Sequence, residues 1–186
     1  MSPTTARDAR RALTLTLLAT AAAAAAALIV HAAWSAEARA LLGYRFPGVT
    51  ASPGEAWSIL ANNLRKLTGI YGLALLLQSP WLDADRPADD RPRWHPPLAT
   101  ACDLGVAGLL GGTFTAVVLG LGGYGARMVQ ALLPHGPAEL GAFALAVVLY
   151  LAARHGPVHP RRAFTLASAS IALLAAAALL ETFLPL

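Results

Sequence analysis

From Ala12 to Trp34 the chain runs for more than 20 residues without an Asp, Glu, Lys or Arg. At about 1.5 Å of rise per helical residue, such a run crosses the roughly 30 Å hydrocarbon core of a bilayer. Comparable blocks recur at about 67–82, 98–122, 137–153 and 163–183. Of the 186 residues, 56% are hydrophobic and 13% charged, against about 25% charged in an ordinary soluble domain. A chain this short buries too little surface to hide so many apolar residues in one water-soluble core. The expected fold is therefore all-α: a polytopic membrane helix bundle of about five transmembrane helices plus short interfacial helices. Residues 1–11 form a cytoplasmic tail and 12–186 a single transmembrane domain.

The first block follows Arg7, Arg10 and Arg11, as the apolar region of a signal peptide would. Signal-peptide apolar regions are only about 7–15 residues long, however. Although Ala36-Glu37-Ala38 offers a small-x-small cleavage site, an uncleaved spanning helix is the better reading. The net charge of +4 does not point to nucleic acid, because the 14 basic residues lie between the apolar blocks and form no patch interleaved with aromatics. They sort instead by side. Arg7, Arg10, Arg11, Arg86, Arg91, Arg93, Arg154, Arg161 and Arg162 fall on one side of the blocks. Arg39, Arg45, Arg65, Lys66 and Arg127 fall on the other. The positive-inside rule puts the N-terminus in the cytoplasm and the C-terminus outside a bacterial inner membrane. Cys102 sits alone inside an apolar block, where it forms no internal disulfide and reads as a small packing residue.

Between the blocks, residues 35–51 read as a polar connection. Ser52-Pro53-Gly54-Glu55 reads as a helix start, with Ser52 at the N-cap, Pro53 at the first helical position and Glu55 three residues on. Trp57, Leu60, Leu64, Leu67 and Tyr71 then share one helical face. The same helix carries Asn62, Asn63, Arg65 and Lys66, so it starts at the interface and enters the bilayer near Leu67. Residues 83–97 form a charged, Pro-rich aqueous loop. In the third block, Gly108-x-x-x-Gly112 admits close approach of another helix, either within the chain or in a dimer. Tyr124–Leu133 is a half-polar interfacial segment, and Pro134-His135-Gly136-Pro137 breaks the chain before the fourth span.

Ionisable groups inside membrane helices cost about 2.5–3.5 kcal/mol each on insertion scales, so each needs a reason. Arg65, Lys66, His135, Glu139 and Glu181 all fall near the outer leaflet in this topology. With Asn62 and Asn63 they compose a candidate polar cluster, either functional or simply holding helices together. Each also has an ordinary explanation. Glu139 meets the N-terminal dipole of its helix, Arg65 and Lys66 snorkel to the interface, and Asp103 caps locally or pairs with loop arginines. His135 and Glu139 are four residues apart, a metal-compatible spacing, but two ligands do not make a metal site, and no metal or other cofactor is expected. No GxSxG, HExxH, P-loop or GxGxxG pattern is present, and no nucleophile completes an intramembrane hydrolase. No catalytic residues are assigned.

Three stretches are more informative together: Ile59-Leu60-Ala61-Asn62-Asn63, Leu132-Leu133-Pro134-His135-Gly136-Pro137-Ala138-Glu139-Leu140, and Leu180-Glu181-Thr182-Phe183-Leu184-Pro185. In order and character they resemble the stage II sporulation protein M family of multipass bacterial membrane proteins. The Pro-His-Gly-x-x-Glu turn is the most specific element. The resemblance implies that Asn62, Asn63, Pro134, His135, Gly136, Glu139 and Glu181 are signature positions. It also implies a non-enzymatic scaffold or subunit of an envelope complex, with a cell-wall hydrolase, an ATPase or a transporter subunit as partner. The alternative is a transporter or permease-like subunit in which His135 titrates near neutral pH and Glu139 or Glu181 relays protons or a small solute. That alternative requires polar lining through the whole bilayer.

Overall fold

In a computed structural model, which describes residues 3–43, 51–79 and 95–184, the chain folds into six helices and, among those residues, no strand. They are α1 (Pro3–Leu42), α2 (Pro53–Gln78), α3 (His95–Tyr124), α4 (Ala126–Leu132), α5 (Gly136–His155) and α6 (Pro160–Phe183). Four of them, α1, α3, α5 and α6, are long and apolar enough to cross a membrane. The chain is thus an all-helical bundle with the character of a multipass membrane protein.

Local chemistry sets the helix ends. Ser52 caps α2, its hydroxyl accepting from the Glu55 N–H at 3.2 Å, with Pro53 in the first turn. Proline is tolerated there because first-turn N–H groups have no intrahelical partner. The same rule corrects the aqueous loop expected at 83–97. His95, Pro96 and Pro97 already belong to α3, two prolines in its first turn; the rest of that loop, through residue 94, lies outside the described residues. The connection expected over 35–51 also begins later. α1 kinks at Trp34 (φ −141°, ψ 28°) but continues to Leu42. It ends where Gly43 takes φ +60° and donates its N–H to the Arg39 carbonyl at 2.9 Å. That left-handed position suits glycine, which has no Cβ to clash.

α2 occupies the middle of the bundle, against α3, α5 and α6. Its buried stripe is Asn63, Leu67, Ile70, Ala74 and Leu77. They meet Ala99, Cys102 and Val106 of α3, Ala142, Ala146 and Tyr150 of α5, and Leu174 of α6. The apolar face read from the sequence is rotated relative to this stripe. Leu67 is buried, but Trp57 is 65% exposed. Lipid accepts an outward apolar face as readily as a core does, so the pattern alone does not say which face turns inward.

α1 lies mainly along α3. The closest approach is made not by Gly108 or Gly112 but by Gly122 and Gly123. A Cβ on Gly108 or Gly112 would meet nothing within 4 Å, so neither packs against another helix of this bundle. A Cβ on Gly122 would lie 2.5 Å from Val30 Cγ1 and 3.0 Å from the Ala27 carbonyl oxygen. His31 Nδ1 lies 3.0 Å from the Gly122 carbonyl oxygen, and Arg39 donates to the Gly123 carbonyl at 3.2 Å. Backbone contact is close here because glycine leaves room for it.

Candidate functional site

α5 starts at the Pro-His-Gly turn. His135 is its N-cap residue, and its carbonyl accepts from the N–H groups of Ala138 (3.0 Å) and Glu139 (3.1 Å). One turn separates His135 from Glu139, so both side chains lie on the same side of α5. α2 brings Asn63 to that side and α6 brings Glu181. Asn63, only 8% exposed, donates from its amide to Glu139 Oε1. His135 Nε2 lies 3.9 Å from Glu181 Oε2, too far for a hydrogen bond and an ion pair only when the ring is protonated. Lys66, one turn from Asn63, adds a cation whose field reaches Glu139.

Four of the expected cluster residues (Asn63, His135, Glu139 and Glu181) therefore meet, with Lys66 at the edge. Asn62 and Arg65 do not join them; both are exposed, turned away from the buried stripe of α2. Pro134 and Gly136 flank His135 and shape the turn without contributing a polar group.

His135 is only 7% exposed, and its Nδ1 is buried without a hydrogen-bond partner. Burial holds the imidazole below its ordinary pKa, and the Glu139 carboxylate only partly offsets this. Among the described residues no three His, Cys, Asp or Glu side chains are grouped so as to hold a metal ion. Among the described residues no Ser, Thr or Cys hydrogen-bonds to His135 as an activated nucleophile would. What the arrangement does chemically is tie α2 to α5 through the Asn63–Glu139 hydrogen bond, with Glu181 of α6 facing the His135 ring.

Further polar contacts tie the helices together elsewhere. Tyr71 of α2 donates to Ser170 of α6 at 2.8 Å, and Ser170 donates to the Leu166 carbonyl at 2.9 Å. Gln78, at the end of α2, donates to the carbonyls of Ala153 (3.2 Å) and Gly156 (3.1 Å) and accepts from the Val158 N–H (2.7 Å). Asp103 of α3 accepts from Tyr150 at 2.5 Å and from Arg154, in the last turn of α5, at 3.3 Å, so it does pair with an arginine. Asp8 of α1 is 2% exposed and accepts both a 2.8 Å and a 2.6 Å bond from Arg162 of α6. Only Asp103 among these had a sequence signal, as a charge within an apolar block. Tyr71 and Ser170 are ordinary membrane-helix residues, and Asp8 reads as one more polar residue of a basic tail.

These groups form separate stations. Between Asn63 and Tyr71 on α2 lie Leu67 and Ile70; between Glu139 and Tyr150 on α5 lie Ala142 and Ala146; between Ser170 and Glu181 on α6 lies Leu174. Each of these five is at most 1% exposed, and all belong to one apolar core. Compared with known proteins, the chain matches no protein-family model, no curated sequence and no solved structure.

Proposed function

We propose that this chain is a non-enzymatic integral membrane scaffold, or a subunit of a bacterial envelope complex, of the kind its resemblance to stage II sporulation protein M implies. The observation that carries this reading is the isolation of the His135–Glu139–Asn63–Glu181 cluster. It gathers side chains of three helices at one end of the bundle, and an apolar layer separates it from the Tyr71–Ser170 and Asp103–Tyr150 contacts. A bundle built this way holds its shape and presents the Pro-His-Gly turn as a fixed surface for a protein partner. Transport is the weaker reading, because a proton or solute leaving Glu139 meets Leu67, Ile70, Ala142 and Ala146 before the next polar group.

The scaffold has five crossings in this reading, with α2 as the fifth. Support comes from the Asp8–Arg162 pair. The start of α1 and the start of α6 lie on one side, so an even number of crossings separates them. α1, α3 and α5 supply three, and α2 makes the fourth. α2 is less apolar than the others because Asn62, Asn63, Arg65 and Lys66 interrupt its first half. The N-terminus is cytoplasmic in this reading, since Arg7, Arg10, Arg11, Arg154, Arg161 and Arg162 gather at the end where α1 and α6 begin.

The test is co-purification of the tagged protein from its own host in mild detergent, with partners identified by mass spectrometry. Wild type is expected to bring down a stoichiometric envelope protein. Glu139→Leu, which deprives Asn63 of its acceptor, is expected to lose it. A wild-type protein that purifies alone, and whose proteoliposomes show a flux abolished by Glu139→Leu, would favour transport instead.

A further inference from the structure

At the end of the bundle where α1 and α6 begin, the described residues carry more arginine than acid. Asp8 is the one acidic side chain among Arg7, Arg10 and Arg11 of α1 and Arg161 and Arg162 of α6. It is fully engaged, both its oxygens being bound by Arg162. That pair brings the two helix starts together and places the neighbouring arginines at one end. Arg7, Arg10, Arg11 and Arg161 are exposed, and no acidic side chain among the described residues pairs with any of them.

Their position makes the imbalance worse. Arg161 lies in the first turn of α6, and neither α6 nor α1 has an acidic residue in its first turn. Helix N-termini carry the positive end of the macrodipole, so cations there are repelled and an anion is attracted. The spacing on α1 is also regular. Arg7, Arg10 and Arg11 stand three and four residues apart, on one strip beside the face where Asp8 and Ala12 are buried against α5 and α6. Just beyond them toward the bundle centre, Leu13, Leu17 and Leu18 are about 60% exposed. The arginines thus sit next to an outward apolar surface.

We infer that Arg7, Arg10, Arg11 and Arg161 form a binding site for the phosphate of an anionic phospholipid headgroup, with the lipid's acyl chains on the adjoining leucines. Charge complementarity and the abutting apolar surface select a lipid over a soluble anion. The inference rests on the membrane character of the bundle, not on the scaffold reading; it stands whether or not a protein partner is found.

Native mass spectrometry of the full chain, released from nanodiscs of phosphatidylcholine mixed with phosphatidylglycerol, tests it. Wild type is expected to retain phosphatidylglycerol in preference to phosphatidylcholine. The fourfold variant Arg7→Gln, Arg10→Gln, Arg11→Gln, Arg161→Gln is expected to lose that preference. The same four positions changed to Lys should keep it, which also separates lost charge from lost folding. Arg65→Gln, an exposed cation on α2, should leave it intact. Equal retention of the two lipids by wild type, or an undiminished preference in the fourfold Gln variant, overturns the site. If inorganic phosphate raises the melting temperature in neutral detergent as much as phosphatidylglycerol does, the site takes a soluble anion and the lipid assignment fails.

Discussion

At the scale of single residues, the pairs that hold this bundle are decided by partners far away in sequence. Asp8 and Arg162 are 154 positions apart, and nothing near Asp8 in the chain distinguishes it from a solvated tail residue. A bidentate arginine–carboxylate pair is a strong geometry, and breaking a buried one leaves a charge without compensation. Asp8→Ala is expected to cost about 3 kcal/mol, the low end for a buried pair because the Arg162 side chain is 26% exposed. Thermal unfolding in a fixed detergent measures this, and the double variant Asp8→Ala/Arg162→Ala should cost less than the two single changes added together. A single-variant loss below roughly 1 kcal/mol would put Asp8 among ordinary surface pairs. The His135–Glu139 cluster was easier to read, because charges inside apolar blocks demand an explanation wherever they stand. Even so, the sequence grouped Asn62 and Arg65 with Asn63, Lys66, Glu139 and Glu181. One helical step of about 100° separates Asn62 from Asn63, and only the packing of α2 shows which of the two turns inward.

At the scale of helices, the strongest signals were those with a local mechanism. The Ser52-Pro53 start and the Pro-His-Gly break act through capping and a missing N–H, so they needed no tertiary context. Two boundaries were misplaced for a related reason. Pro96 and Pro97 look like loop residues but are compatible with a first turn, and Ser35–Leu42 looks polar but helix α1 runs through it to Gly43. Glycine spacing misled in a different way. Gly108-x-x-x-Gly112 has the form of a packing motif, yet the contact falls at Gly122 and Gly123, because α1 meets α3 nearer its C-terminal end. Gly122→Ala should therefore destabilise the α1–α3 pair by about 1–3 kcal/mol, the range for overpacking a close contact. Gly108→Ala and Gly112→Ala should be neutral or slightly stabilising, as alanine suits a helix better than glycine where there is space. Melting temperatures of the three variants, compared in one lipid mixture, separate the positions. The reverse order would place the close contact at the sequence motif after all.

At the scale of the whole molecule, one ion pair constrains the path of the entire chain. Because Asp8 and Arg162 touch, residue 9 and residue 157 share a side of the membrane in any arrangement of this bundle within a bilayer. The connection before α2 lies on the opposite side when α1 crosses, and α2 must then cross as well for residue 157 to return to the side of residue 9. Hydropathy undervalues α2, since Asn62, Asn63, Arg65 and Lys66 interrupt its first half while Leu67, Ile70, Ala74 and Leu77 face protein. Contact parity therefore tells more about its path than its composition does. Cys102, the single cysteine, is 1% exposed and can be replaced by Ala to give a background free of thiols. In that background, cysteines introduced singly at the exposed positions Ala9, Ala51 and Pro157 should sort into two classes with a membrane-impermeant thiol reagent. Ala9→Cys and Pro157→Cys should label from one face of oriented vesicles and Ala51→Cys from the other. Labelling of Ala51→Cys and Pro157→Cys from the same face would mean that α2 does not cross. The Asp8–Arg162 contact would then be impossible in a bilayer, and with it the juxtaposition of arginines on which the lipid site depends.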